Sequence, residues 1–304
     1  MSKSKENDNG RYFEYLVSKE LEEKFKLVLT ERAKADQERD SEKQIATKTY
    51  DQMLIATKKI VNWLQLELSL DEHSILDRLP DKNTFGFSHE DISIQDSNNR
   101  KINFSLKHNH SAVFHGRIVA CKDWTGVDPL SPLVQKYENE KKVIISNVQT
   151  LIPVGTQFAD GGVYEKYRET WSNFIFELHE SAKNFLISAC DSPKHTQNLF
   201  KTILGSGGDQ YRVLKKQGGS KVVVQDLRSL TKPNSVVIRN IQKISANDER
   251  SKYVWHLVFE FDNGIKINAR NKQDSRIMSK TPKLKSDWQV IDWGESGMVE
   301  TILT

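Results

Sequence analysis

Asp91 and Lys107 are the two residues whose types and spacing point most directly to chemistry. Asp91 opens the run Asp91-Ile-Ser-Ile, and Lys107 closes Asn103-Phe-Ser-Leu-Lys107. The polar stretch Asp96-Ser-Asn-Asn-Arg100 lies between them. A strand, a tight turn and a second strand bring such positions together. One carboxylate and one lysine beside a divalent ion are the minimum equipment for hydrolysing a phosphodiester. The carboxylate holds the ion against a phosphate oxygen, and the lysine orients the attacking water and stabilises the developing charge. The backbone carbonyl of Leu106 can complete the ion's oxygen shell. The usual form of such a site carries an acid two residues before the lysine. Here that position is Ser105, so another carboxylate must substitute, with Glu14 as the first candidate and Glu90 as the second.

The surrounding sequence suits a polyanion. From Ser97 to Lys122 there is no acidic residue, while Arg100, Lys101, Lys107, Arg117 and Lys122 are present. The same segment holds His108, His110 and His115, three of the chain's eight histidines. Asn pairs bidentately with adenine and Arg with guanine, so Asn109 and Arg117 join the histidines as candidate contacts to phosphate or base edges. In an extended strand, His108 and His110 share one face and Asn109 takes the other. Metal binding by His110 and His115 is a minor alternative. A second basic tract runs from Ile265 to Ser286 and includes Arg270, Lys272 and Arg276, with only Asp274 opposing. Arg212, Lys215, Lys216 and Lys221 form a third cluster, suited to the phosphate backbone. Gly205-Ser-Gly-Gly lacks the Gly-Lys-Ser/Thr ending of a phosphate loop and reads as a flexible connection.

The run Lys107-His-Asn-His-Ser-Ala-Val-Phe-His115-Gly-Arg117, preceded by Phe104-Ser105, resembles the signature of HaeIII-type type II restriction endonucleases. Gly10-Arg-Tyr-Phe-Glu14 is similar to the opening of that family's first helix. Phe259-Glu-Phe-Asp-Asn-Gly264, followed by Asn268-Ala-Arg-Asn, looks like its late hairpin. The resemblance implies a PD-(D/E)xK nuclease fold, with Asp91 as first acidic ligand, Ser105 at the atypical middle position and Lys107 as the lysine. It also implies Mg²⁺ as cofactor, a Glu on the first helix near the metal, and double-stranded DNA as substrate. The site would be short and GC-rich, either GGCC-like or a 5-methylcytosine-dependent GCNGC-like sequence. The class suggests a homodimer, because a twofold protein matches a symmetric site. The separate His-Asn-His nuclease class fits poorly, because its base histidine and metal ligands are not adjacent residues.

The elements that must position these residues are legible as an α/β (α+β) chain. Its 304 residues carry a net charge of only +4, so the distribution of charge says more than the total. Two cysteines, Cys121 and Cys190, make neither a disulfide framework nor a zinc site. The first residues lack the apolar core of a signal peptide, and no apolar run approaches a membrane span, which predicts a soluble cytosolic protein. Apolar spacing predicts helices over 11–36 and 49–70, a charged loop or helix end over 34–48, and a loop over 71–90. A hairpin region at 91–121 follows, then a helix from Pro132 to about Lys142 and another over 161–190. Beyond Gly205 the chain turns strand-like, with Asp262-Asn-Gly264 as a hairpin turn. A boundary near 205 therefore separates a catalytic region, 1–205, from a β-rich DNA-recognition region, 206–304. Trp63 and Trp171 read as core. Trp288 and Trp293 read as core too, with stacking on bases as the alternative.

Two other classes fit the same residues. One is a DNA-binding protein without catalysis, which Ser105 in place of an acid favours. The other is a different metal-dependent phosphodiesterase, such as a repair nuclease or an RNase.

Overall fold

The computed structural model describes residues 3–43, 45–79, 82–83, 86–87, 91–109, 116–157, 166–204, 210–216, 218–242, 255–273, 278–280 and 284–304. Among them the chain is a mixed α+β protein with seven α-helices and two sheets larger than a hairpin. It divides into two units that do not follow chain order. The first comprises Met1–Ser111, Gly205–Leu230 and Gly297–Thr304, and the second Ala112–Leu204 and Thr231–Ser296. This corrects the single boundary expected near 205. Strands from the late sequence return to the sheet begun early, so a cut at one position cannot separate the two cores.

The first unit opens with α1 (Lys3–Phe25), β1 (Val28–Leu29), α2 (Glu31–Ser41) and α3 (Thr47–Glu67). The helix expected over 11–36 is thus two helices, and α1 begins well before residue 11. The break has a local cause. Lys26 adopts φ 60°, and Val28 and Thr30 donate to the carbonyls of Ser74 and Leu76, which makes β1 a short parallel strand. Thr30 then caps α2 by accepting from Ala33 N at 3.2 Å. The stretch expected as a loop over 71–90 contains β2 (Ile75–Arg78) and the small pair β3 (Lys82–Asn83) and β4 (Gly86–Phe87).

Next come β5 (Ile92–Gln95) and β6 (Lys101–His108), an antiparallel hairpin with the expected turn between them. Asp96 Oδ1 accepts from the backbone N–H groups of Asn98 and Arg100, and Asn99 takes φ 62°. An Asp that satisfies its own turn's amides fixes the register of both strands. The chain leaves this unit and returns as β7 (Gln210–Lys215), β8 (Val222–Asp226) and, at its end, β13 (Val299–Leu303). The sheet order is β1-β2-β5-β6-β7-β8-β13, with β6 and β7 parallel. Phe13, Leu16, Val17 and Leu21 of α1 pack with Ile102, Phe104, Leu106, Val213 and Val224 in one core, which Trp63 of α3 joins.

The second unit contains a 3₁₀ turn (Ile118–Ala120), α4 (Lys122–Thr125), α5 (Pro132–Leu151), α6 (Arg168–Ala189) and α7 (Pro193–Leu204). It also contains an antiparallel sheet of β9 (Val236–Gln242), β10 (Trp255–Phe261), β11 (Lys266–Gln273) and β12 (Leu284–Asp292), in the order β12-β11-β10-β9. The Asp262-Asn-Gly264 turn joins β10 to β11, with Gly264 at φ 83°. Trp288 is fully buried, edge-on to Trp124 at 5.2 Å between centroids and 5.0 Å from Phe259. Trp171 is also core, and both cysteines are free and buried. No described helix is long and apolar enough to cross a membrane.

Candidate functional site

The β5–β6 register builds the site. Ile92 pairs with Phe104, so the residue before Ile92 faces the residue after Phe104. That places the Asp91 carboxylate 3.0 Å from Ser105 Oγ, which donates to its Oδ2. β5 is shorter than β6, so beyond Phe104 the amide of Leu106 has no strand partner on that side. Asp91 Oδ2 takes its place, accepting from Leu106 N at 2.7 Å. Lys107 Nζ lies 3.5 Å from the same oxygen. Among the described residues, the contacts of the Asp91 carboxylate converge on Oδ2 and none falls on Oδ1.

Glu14 comes to the site on α1. Its carboxylate forms an ion pair with Arg78 Nη2 through Oε2. Burial and the neighbouring Asp91 carboxylate raise the Glu14 pKa to about 7, against the opposing pull of Arg78 and Lys107. Two carboxylates therefore approach closely enough for one to disfavour ionisation of the other. Arg78, itself buried, reaches across to Asp40 with Nη1 at 2.8 Å. Asp40 is wholly buried and also takes both nitrogens of the Arg39 fork at 3.0 Å. Burial alone would raise the Asp40 pKa, but the hydrogen bonds from Arg39 and Arg78 outweigh it and hold it below the ordinary value.

Sequence reasoning missed Arg78 and Asp40. Arg78 fell in a segment read as loop, and only the alternation Ile75-Leu76-Asp77-Arg78 marked it as a strand. Asp40 sat in a charged run with nothing to distinguish the one acid that is buried.

The remaining candidates separate. His108 closes β6, is 8% exposed, and lies with its ring centroid 5.9 Å from that of Phe13. Asn109 does not continue the strand: it takes φ 62° beyond the end of β6, which corrects its expected place in an extended strand. Arg117 is exposed, precedes the 3₁₀ turn and belongs to the second unit, as does exposed Arg270 on β11. Lys272 lies on β11, but its side chain is outside the described residues, as are Glu90, His110, His115 and Arg276. In the cluster at 212–221, Arg212 and Lys215 are buried strand residues of β7 and are not carried on an open loop.

Among the described residues no three His, Cys, Asp or Glu side chains converge as a ready-made metal cage. The oxygen donors present are Asp91 Oδ1, the Glu14 oxygen not held by Arg78, and backbone carbonyls. That set suits Mg²⁺, which keeps several waters and is usually held by one or two carboxylates together with substrate phosphate. Compared with protein-family models, curated proteins and solved structures, the chain gives no match.

Proposed function

We propose that this chain is a Mg²⁺-dependent endodeoxyribonuclease of the type II restriction class, built on a PD-(D/E)xK core. The observation that carries the reading is the meeting of Asp91, Ser105 and Lys107 at one carboxylate oxygen, with Glu14 close enough for Asp91 to raise its pKa. Two mutually repelling carboxylates beside a lysine form a site that a divalent cation relieves. Mg²⁺ bound there would polarise the scissile phosphate and lower the pKa of the attacking water. Asp91 and Glu14 are the residues that would hold the ion. Ser105 and the Leu106 amide keep the Asp91 carboxylate in one orientation. Lys107 stabilises charge on the phosphoryl oxygens and positions water. Arg78 fixes Glu14 in place and neutralises part of its charge.

The substrate in this reading is double-stranded DNA at a short GC-rich site. Asn109, exposed just beyond the end of β6, supplies a contact to it, and a homodimer serves both strands. Ser105 in place of an acid favours one competing reading, a DNA-binding protein without catalysis. Lys107→Ala separates the two: a nuclease loses Mg²⁺-dependent cutting of plasmid DNA and keeps duplex affinity within a few-fold. If the wild-type chain binds duplex DNA but leaves plasmid intact in Mg²⁺, the non-catalytic reading replaces the nuclease.

A further inference from the structure

Lys215 is a buried charge that the site above does not use. It ends β7, opposite His108 across the parallel pair, and is 1% exposed. Buried lysines ordinarily have a carboxylate partner, because a desolvated ammonium is costly without one. Among the described residues none is present. The hydrogen bond from Nζ goes to a neutral amide oxygen, Asn109 Oδ1, at 3.2 Å. Burial alone acts on the group, lowering its pKa from the ordinary value, and no acid opposes that shift.

The residues around it neither supply the missing charge nor admit water freely. Among the described residues, His108 Nε2 is buried without a hydrogen-bond partner. With Phe13 beside it, the imidazole forms a weakly polarisable wall, and a charge in such surroundings is screened far less than in water. Asn109, by contrast, is exposed. Its backbone is fixed by donation from its N–H to Lys215 O at 2.9 Å and by φ 62°, a conformation Asn tolerates better than most residues. The amide oxygen turns inward to the ammonium, so the Nδ2 donors are the part of the side chain left for a ligand.

We propose that Asn109 and Lys215 together hold a backbone phosphate of the DNA: Asn109 Nδ2 donates to a phosphodiester oxygen at the surface, and the Lys215 ammonium behind it provides the counter-charge. The inference rests on DNA as the ligand and deepens that part of the proposed function. It gives Asn109 a different role from bidentate adenine reading, which needs the amide oxygen facing outward. It also explains why a strand of the core carries a buried cation two positions beyond Val213. The contact positions the duplex and carries no sequence information.

The test measures binding of a fluorescent duplex of mixed sequence to the full chain by anisotropy over a range of salt, with EDTA and again with Ca²⁺. Three variants are compared with wild type: Lys215→Met, Asn109→Ala and Asn109→Asp. Lys215→Met should weaken binding about tenfold at low salt and lower the salt slope by about one. Asn109→Asp gives the ammonium its own carboxylate and should weaken binding at least as much. Both should raise the melting temperature of the free protein, because the first removes the uncompensated buried charge and the second compensates it. Asn109→Ala should weaken binding several-fold. A structural lysine would behave in the opposite way, losing stability in Lys215→Met while affinity and salt slope stay at wild-type values. That result overturns the inference, and so does failure of the wild type to bind duplex in either condition. Because binding is read without cutting, the two ideas fail separately. An uncut plasmid with a Lys215-dependent salt slope removes the nuclease and keeps the phosphate contact. A cut plasmid with a Lys215-independent slope does the reverse.

Discussion

The Leu106 amide donates to Asp91 Oδ2 at 2.7 Å, so the candidate metal-binding carboxylate is fastened to the backbone of the strand that carries Lys107. Asp91 and Lys107 are therefore held at a separation set by the β5–β6 register and not by two flexible side chains alone. Substituting Asp91→Asn keeps an acceptor for Leu106 and Ser105 but removes the negative charge. Cleavage should fall on the order of 10³-fold, while the urea midpoint moves little. Mg²⁺-dependent digestion measured beside urea unfolding checks both halves.

Ser105 donates to the Asp91 carboxylate, which in the proposed reading orients it for the metal. Ser105→Ala leaves the Leu106 amide and Lys107 in place and removes one donor at 3.0 Å. Partners that orient a metal ligand typically contribute about 10–100-fold to affinity or activity. The Mg²⁺ concentration needed for half-maximal cutting should rise about tenfold, with cutting largely recovered at high Mg²⁺. An unchanged Mg²⁺ requirement would show that Ser105 merely fills space.

Arg78 joins two carboxylates from two helices, Glu14 of α1 and Asp40 of α2. Removing it leaves buried acids without their fork. Arg78→Leu should destabilise the chain by about 3–5 kcal/mol in urea unfolding, the usual cost of breaking a buried ion pair by deleting one partner. Arg78→Lys keeps the charge but not the planar geometry that reaches both acids, so it should recover only part of that loss.

His179 offers a pH test away from the site. It is fully buried on α6, with Nδ1 2.7 Å from Ile175 O. Burial, which outweighs that hydrogen bond, lowers its pKa to about 4. The unfolded chain then binds the proton more readily, so this group's contribution is full above the unfolded pKa of about 6.5 and is lost as pH falls toward 4. The stability of wild type relative to His179→Leu should decline across that window by up to about 3 kcal/mol, from about 1.4 kcal/mol per pKa unit. Urea unfolding of both proteins at several pH values measures it. A difference independent of pH would contradict the burial argument.

Trp288 sits against Trp124 and Phe259 and is closed to solvent. It serves the core of its unit and cannot stack on a base without unfolding its sheet. Trp288→Ala should cost about 3–5 kcal/mol by cavity formation, read as a lowered urea midpoint.

The legible parts of this chain are those where local pattern and local structure coincide. The Asp96 turn, the alternation of Ile102, Phe104 and Leu106, and the Asp262-Asn-Gly264 hairpin each announce themselves within a few residues. Through the turn, the meeting of Asp91, Ser105 and Lys107 was legible too. What escaped depends on distant sequence. β1 exists because the Ser74 and Leu76 carbonyls need donors, so residues 28–29 leave a helical pattern that would otherwise continue. Arg78 looked like loop because its strand is four residues long. Asp40 is special only because Arg78 arrives from another element. The division into units stayed hidden for the same reason. β7, β8 and β13 read as part of a β-rich late region, and only pairing reveals that they complete the sheet of β5 and β6.

The most direct test of the central claim is digestion of two matched plasmids, one unmethylated and one carrying 5-methylcytosine at GC-rich sites, in Mg²⁺ and in EDTA. The account predicts discrete fragments from one of the plasmids in Mg²⁺, none in EDTA, and none from Asp91→Asn. The plasmid that is cut assigns the enzyme to ordinary or methyl-dependent cleavage. Folded wild-type protein that leaves both plasmids intact in Mg²⁺, or that yields only a smear, would contradict it.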